Sequence, residues 1–282
     1  MRLVRYGEAG TEAPGMIDDS GTLRDLSGEV ADIAGEALLP ETLARLAALD
    51  AAALPAVEGA PRLGACVGRV GKLIGIGLNY ADHAAEAGQP VPPEPVVFLK
   101  ATSAICGPAD DVILPPGADK TDWEVELGVV IGREARYVAE ADALAHVAGY
   151  CVVNDVSDRG WQMDRAGQWT KGKSADTFAP LGPWLVTADA VRDPQARRLT
   201  LDIDGRRMQD GSTETMVYGV AHLVHYLSHV MSLQPGDVIS TGTPPGVALG
   251  RADTPWLRPG QVMEAEVEGL GRQRNRIVAA PG

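Results

Sequence analysis

The densest chemistry in the chain lies in Asp122-Trp123-Glu124-Val125-Glu126-Leu127-Gly128. In an extended backbone successive side chains alternate, so Glu124 and Glu126 share one face while Trp123, Val125 and Leu127 share the other. Two carboxylates held that close repel unless water or a cation separates them. An isolated pair of this kind ordinarily marks a solvated face. Here the apolar run Val129-Val130-Ile131 follows directly, which predicts a strand enclosed by the fold and turns the reading toward a bound cation. Asp155 follows the run Tyr150-Cys151-Val152-Val153-Asn154 and offers a third oxygen at the end of another buried strand. Three hard oxygen ligands suit Mg²⁺ or Mn²⁺ rather than zinc.

A second constellation is Gly75-Ile76-Gly77-Leu78-Asn79-Tyr80 running into Ala81-Asp82-His83-Ala84-Ala85-Glu86. On a helix, His83 and Glu86 share a face and can hydrogen-bond. A carboxylate on one imidazole nitrogen fixes the tautomer and raises the basicity of the other, as a water-activating base requires. Such pairs are commonly plain surface contacts. The paired glycines lack the third glycine of a dinucleotide fingerprint, so a nicotinamide cofactor is rejected. Gln168-Trp169-Thr170-Lys171-Gly172-Lys173-Ser174, preceded by Arg159 and Gln162, gathers two of the few lysines around one glycine. That loop is either solvated or binds an anion. The Gly/Pro/Thr segment Gly242-Thr243-Pro244-Pro245-Gly246 offers backbone N–H and hydroxyl donors.

These residues need a scaffold of short strands. Gly (33) and Pro (20) make up about a fifth of the 282 residues, which disfavours a helical bundle. Strand patterns recur at Val96-Leu99, Val125-Ile131, Tyr150-Val153, Leu199-Ile203 and Val238-Ile239, with one long helix expected over Val217-Met231. In that helix Val220, Leu223, Val224, Leu227, Val230 and Met231 form the apolar stripe, so His222, His225 and His229 are expected on the solvent side. A small β-hairpin unit, alternating at Arg2–Tyr6 and around Met16-Ile17 with a turn at Asp18-Asp19-Ser20-Gly21 before Leu23 and Leu26, a short helix over 43–49 opened by Pro40-Glu41-Thr42, and an Ala/Pro/Gly-rich loop over 51–68 set off a small N-terminal α/β unit, 1–68, from a main domain, 69–282. A formal charge of −13 opposes nucleic acid and anionic membrane surfaces. Cys66, Cys106 and Cys151 are too scattered for a disulfide framework or zinc ribbon. The opening residues carry no secretory pattern and no apolar run is long enough to span a bilayer. A cytoplasmic protein is the expectation.

In order and spacing, Gly77-Leu78-Asn79-Tyr80 with His83 and Glu86, Phe98-Leu99-Lys100, Glu124-Val125-Glu126-Leu127-Gly128, Asn154 to Arg159, Gly172-Lys173-Ser174 and Gly236-Asp237 through Thr243-Pro244 resemble the fumarylacetoacetate hydrolase family across about residues 72–277. The N-terminal unit and the Gln168-Trp169 loop are similar to bacterial 2,4-diketo-3-deoxy sugar-acid hydrolases, such as those acting on the L-fuconate derivative. Ala175 departs from the Phe found in many relatives. The resemblance implies an α+β, strand-dominated mixed β-roll and a homodimer. It also implies Mg²⁺ or Mn²⁺ on Glu124, Glu126 and Asp155, a catalytic His83–Glu86 dyad with Lys173, and substrate contacts from Tyr80, Lys100, Arg159, Gln162 and Thr243. The implied reaction cleaves the C3–C4 bond of a 2,4-diketo acid to pyruvate and a hydroxy acid. Acylpyruvate hydrolysis, oxaloacetate decarboxylation and isomerisation of an enol-keto diacid are the rival activities of such a site.

Overall fold

The computed structural model describes residues 1–86, 88–251, 253 and 255–281. Strands Val125–Ile131 and Val147–Asn154 are buried at every position and pair antiparallel in the middle of the main sheet. Their near-continuous apolar sequence is what a strand covered on both faces requires. Val125–Ile131 is flanked on its other side by Val238–Ser240, which runs parallel to Leu73–Gly77, and Val96–Lys100 closes that edge. On the far side Val147–Asn154 pairs with Ala179–Thr187, which in turn pairs with Arg2–Tyr6. Ala13–Ile17 and Leu23–Asp25 complete the edge.

The 1–68 segment therefore adds its strands to the same sheet. The rest of that segment runs through helix Pro40–Ala47, its Leu46 buried, and a loop tied back by isolated bridges at Ala56 and Leu63.

A second sheet, Arg206–Ser212, Arg198–Ile203, Val262–Val267, Gly271–Ala279 and Val112–Leu114, packs behind the first. Polar side chains join the two layers. Gln273 Nε2 donates to the Val152, Pro180 and Gly182 carbonyls, and Gln209 Oε1 accepts from the Val125 N–H. The expected strand-dominated α+β architecture is present, with mixed sheets and no closure into a barrel.

Helix Val220–Val230 buries Leu223, Val224 and Leu227 as expected. Its stripe ends differently: Val230 is 59% exposed and Ser228 is buried instead. The Ser228 hydroxyl is satisfied there, accepting from Val138 N–H and donating to the His225 carbonyl, so its burial carries no orphan-donor cost. No helix among the described residues is long and apolar enough to cross a membrane.

Arg62 fastens the 51–68 loop. Its guanidinium binds both oxygens of Asp110 at 2.7 and 2.6 Å and reaches Glu12 at 3.0 Å. Burial alone would push the Glu12 and Asp110 carboxyls up, but Arg62 outweighs it, with Arg5 helping at Glu12, and both sit below the usual carboxylate range. A depressed carboxyl stabilises the fold above its unfolded pKa, about 4, and loses that contribution as the pH falls through its folded value. Arg62→Ala is expected to cost about 1–3 kcal/mol at pH 7, read as a lower melting temperature. The gap between variant and wild type should shrink as the pH is taken below 4 and stay constant between pH 6 and 8.

Candidate active site

Register builds the site. Glu126 lies opposite Val153 and Val125 opposite Asn154, and the Asp155 N–H donates to the Glu124 carbonyl at 2.9 Å. One carboxylate just past Val147–Asn154 is thus set beside two at the start of Val125–Ile131. Oxygens of Glu124, Glu126 and Asp155 all come within 4.8 Å of one another, and all three residues are buried. The sheet curls around them, because Lys100, on an edge strand four positions along the sheet from Asp155, reaches that carboxylate at 2.5 Å. Missing side chains permit the curl to fill: a Cβ on Gly75 would stand 2.2 Å from the Phe98 ring.

Charges in this cluster are closely matched. Lys173 Nζ bridges Glu124 at 2.5 Å and Asp155 at 2.7 Å. Arg159 spans Asp122 at 2.9 Å and Glu124 at 2.6 Å. Burial pushes the Glu124 carboxyl up, yet the Arg159 and Lys173 charges overcome it and hold it well below the usual range. Lys173 is likewise held above its ordinary value against burial, by Asp155 and Glu124, whereas burial pulls Lys100 down. Glu126 receives hydrogen bonds on Oε2 alone, from the Ser240 hydroxyl at 2.6 Å and Gly242 N–H at 2.8 Å. Burial and the facing Asp155 and Glu124 charges push its carboxyl well up. Three cations against four carboxylates leave a formal net charge of −1. A hard divalent cation fits this donor set, since it would offset the excess and reverse the sign the cluster presents to an anion.

Beside the carboxylates stands the dyad. Helix Ala81–Glu86 places His83 Nδ1 at 3.2 Å from Glu86 Oε2. The Nδ1–H donating to Glu86 leaves Nε2 with the lone pair. Glu86 is itself anchored by the Gly246 N–H at 3.0 and 3.1 Å, and these donors keep its carboxyl low against burial. Leu78, at the turn into that helix, holds a left-handed backbone with φ of 53°, a conformation non-glycine residues adopt at a cost. The Asn79 amide locks the turn by bonding the Tyr218 and Thr241 carbonyls.

His83, Glu124, Glu126, Arg159, Gln162, Lys173 and Thr243 line one cavity of about 210 Å³. Glu86 stands behind His83, and Asp155 beneath Lys100 and Lys173. Tyr80 and Lys100 are not among the residues that line this cavity. Tyr80 is fully buried, with its hydroxyl unpartnered among the described residues, and Lys100 donates to Asp155 and the Val156 carbonyl.

Asp122 was quoted in the motif without a role. Its carboxylate accepts from Ala248 N–H, Leu249 N–H, Trp123 N–H and Arg159 Nε. It thereby ties the 246–250 loop, which orients Glu86, to the guanidinium that orients Glu124. Gln209 was also missed. From the second sheet it donates to Thr243 Oγ1 and the Pro244 carbonyl, and its strand, Arg206–Ser212, has a single apolar residue and no alternation to mark it.

A profile of the family described as fumarylacetoacetate (FAA) hydrolase, C-terminal, matches residues 72–278. The chain belongs to the fumarylacetoacetate hydrolase family. A Burkholderia multivorans relative named only as a hydrolase is 63% identical over 99% of this chain and 100% of its own. Among solved structures, fumarylacetoacetate hydrolase from Exiguobacterium antarcticum superposes with a TM-score of 0.86 at 34% identity, covering 99% of both chains. The 2-hydroxyhepta-2,4-diene-1,7-dioate isomerase of Mycobacterium marinum gives 0.77 at 31%, covering 100% of each. Maleylpyruvate hydrolase from Sphingobium sp. SYK-6, solved with manganese(II) and pyruvate, gives 0.83 at 28%, also covering 100% of each. Enzymes of this family thus include hydrolases and isomerases.

The charge count makes opposite predictions for two variants. Glu126→Gln, which removes an anionic donor, should weaken Mn²⁺ binding by roughly 100-fold or more. Lys173→Met should tighten it by at least about tenfold, because a unit charge about 4 Å away is worth on the order of 4 kcal/mol at an effective dielectric near 20. Calorimetric titration of Mn²⁺ into the metal-free proteins checks both, and equal weakening in the two variants would refute the charge argument.

Proposed function

We propose that this enzyme hydrolyses the C3–C4 bond of a 2,4-diketo acid, releasing pyruvate and a carboxylic acid. The observation that carries the reading is the His83–Glu86 dyad opening onto the same cavity as a buried carboxylate cluster with its own cations. Hydrolysis needs a base to take a proton from water, and the His83–Glu86 dyad supplies one. The Sphingobium hydrolase, whose structure holds manganese(II) and pyruvate, supports the choice.

Glu124, Glu126 and Asp155 would hold the divalent ion. When bound, Mg²⁺ or Mn²⁺ supplies electrophilic polarisation of the substrate's oxygens. The remaining work falls to side chains. His83 Nε2 removes a proton from water as the oxygen adds to C4, and Glu86 stabilises the imidazolium so formed. The C3–C4 bond then breaks, its electron pair passing to C3 as the enolate of pyruvate, which takes up a proton at C3. Lys173 and Arg159 stand where negative charge develops and offset it without reorganisation. Gln162, through its amide nitrogen, would orient the keto-acid end, and Thr243 borders the same space with its hydroxyl held by Val125 and Gln209. Tyr80 and Lys100 would act from behind the wall, Lys100 by holding Asp155.

Sequence resemblance alone would make the substrate a 2,4-diketo-3-deoxy sugar acid and the protein a cytoplasmic homodimer, but the dyad and the carboxylate cluster act on the diketo end and leave the group on C4 open. Acylpyruvates belong to the same reaction class.

Purified protein is expected to release pyruvate from 2,4-diketo acids, with chelator abolishing the release and Mg²⁺ or Mn²⁺ restoring it. His83→Ala should lower kcat by about 10²–10⁴-fold while leaving calorimetric Mn²⁺ affinity intact. A fully active His83→Ala protein would remove the proposed base, and double-bond migration without pyruvate would favour the isomerase.

A further inference from the structure

The cavity has two regions of opposite character. Its floor is the ionic cluster with His83. From there it continues along a wall built by Leu78, Phe98, Met163, Trp169, Val247 and Leu249. We propose that the group carried on C4 of the substrate is apolar, an alkyl or aryl chain, with no second carboxylate and no run of hydroxyls. This inference rests on the diketo-acid reading above and specifies the half of the substrate which that reading leaves open.

Three observations converge on it. The first is charge. Arg159 and Lys173 are the cations lining the cavity among the described residues, and both are engaged by carboxylates at the floor. A carboxylate at the far end of a diacid would lie against the apolar wall with no partner, which buried charge does not tolerate.

The second is hydrogen-bonding capacity. The Thr243 hydroxyl already donates to the Val125 carbonyl and accepts from Gln209. Gln162 has its oxygen on Arg159, so away from the ionic floor the polar side-chain groups among the described lining residues are its amide nitrogen and Gln89. Each hydroxyl of such a chain brings a donor and two acceptor lone pairs, and those left unmet inside the cavity count against binding.

The third is how the wall is held. Trp169 lies 5.6 Å from the Phe98 ring centroid and against Gly77, where a Cβ would approach the indole to 2.4 Å. The glycine is what lets the indole sit on the strand and close the side of the cavity. Met163 and Leu249, 53% and 38% exposed at the rim, are apolar surface that an apolar acyl group would cover.

The test compares three substrates sharing the pyruvyl end: 2,4-dioxooctanoate, 2,4-dioxoheptanedioate and a 2,4-diketo-3-deoxy sugar acid. Pyruvate release with Mg²⁺ is expected to give kcat/KM for 2,4-dioxooctanoate roughly tenfold or more above the other two. Met163→Arg, at the exposed rim, should raise the heptanedioate-to-octanoate ratio by about tenfold. Titration of the same acids into His83→Ala protein with Mg²⁺ reads the preference without turnover. Tightest binding or fastest cleavage of the heptanedioate or the sugar acid would overturn the proposal, as would an unchanged ratio in Met163→Arg. Absence of pyruvate from all three would overturn the hydrolase reading, while the order of binding would still decide the nature of the tail.

Discussion

Burying like charges together is the constraint on which the rest of this molecule depends. Four carboxylates and three cations share one buried volume at the mouth of a curled sheet, and isolated ions in such a place cost several kcal/mol each. The fold meets that cost with geometry: every cation there is shared between partners or held by one at hydrogen-bond distance. The same matching that makes the cluster tolerable leaves it one charge short of neutral, and the shortfall sits at Glu126, whose partners Ser240 and Gly242 are neutral donors. Structure and prospective chemistry are therefore two descriptions of one charge pattern.

The pattern extends outward through Asp122. A single carboxylate accepts four hydrogen bonds, from Trp123, Ala248, Leu249 and Arg159. The anchoring of Glu86 beside His83 and of Arg159 beside Glu124 are consequently not independent. Displacing the 246–250 loop would disturb Glu86 through Gly246 and Glu124 through Arg159, a coupling of the kind that contiguous polar networks carry.

Much of this was legible in the sequence. The alternation of Glu124 and Glu126 within an apolar run required a buried strand, and the i, i+3 spacing of His83 and Glu86 required a shared helical face. What periodicity could not convey was register across strands and the curl of the sheet. Lys100 illustrates the gap: its strand reads as an edge, and only the curvature carries its ammonium to Asp155. The turn before Tyr80 illustrates another, since Leu78 takes a left-handed backbone there and no local pattern announces a left-handed leucine. Asp122 and Gln209 were hidden for a third reason. Their partners are backbone groups from loops far along the chain, and side-chain-to-backbone bonds leave no signature in spacing.

The attachment of Arg2–Tyr6 to Ala179–Thr187 has a consequence for assembly. Without that first strand, Ala179–Thr187 would present a row of open backbone groups beside the buried middle of the sheet, a template for pairing with another chain. Leu3 and Val4 are wholly buried, and the sheet finally ends at Leu23–Asp25, a strand of three residues too short to recruit a neighbour. The opening residues thus guard this edge of the sheet, and Glu124, Glu126 and Asp155 lie several strands inward from it.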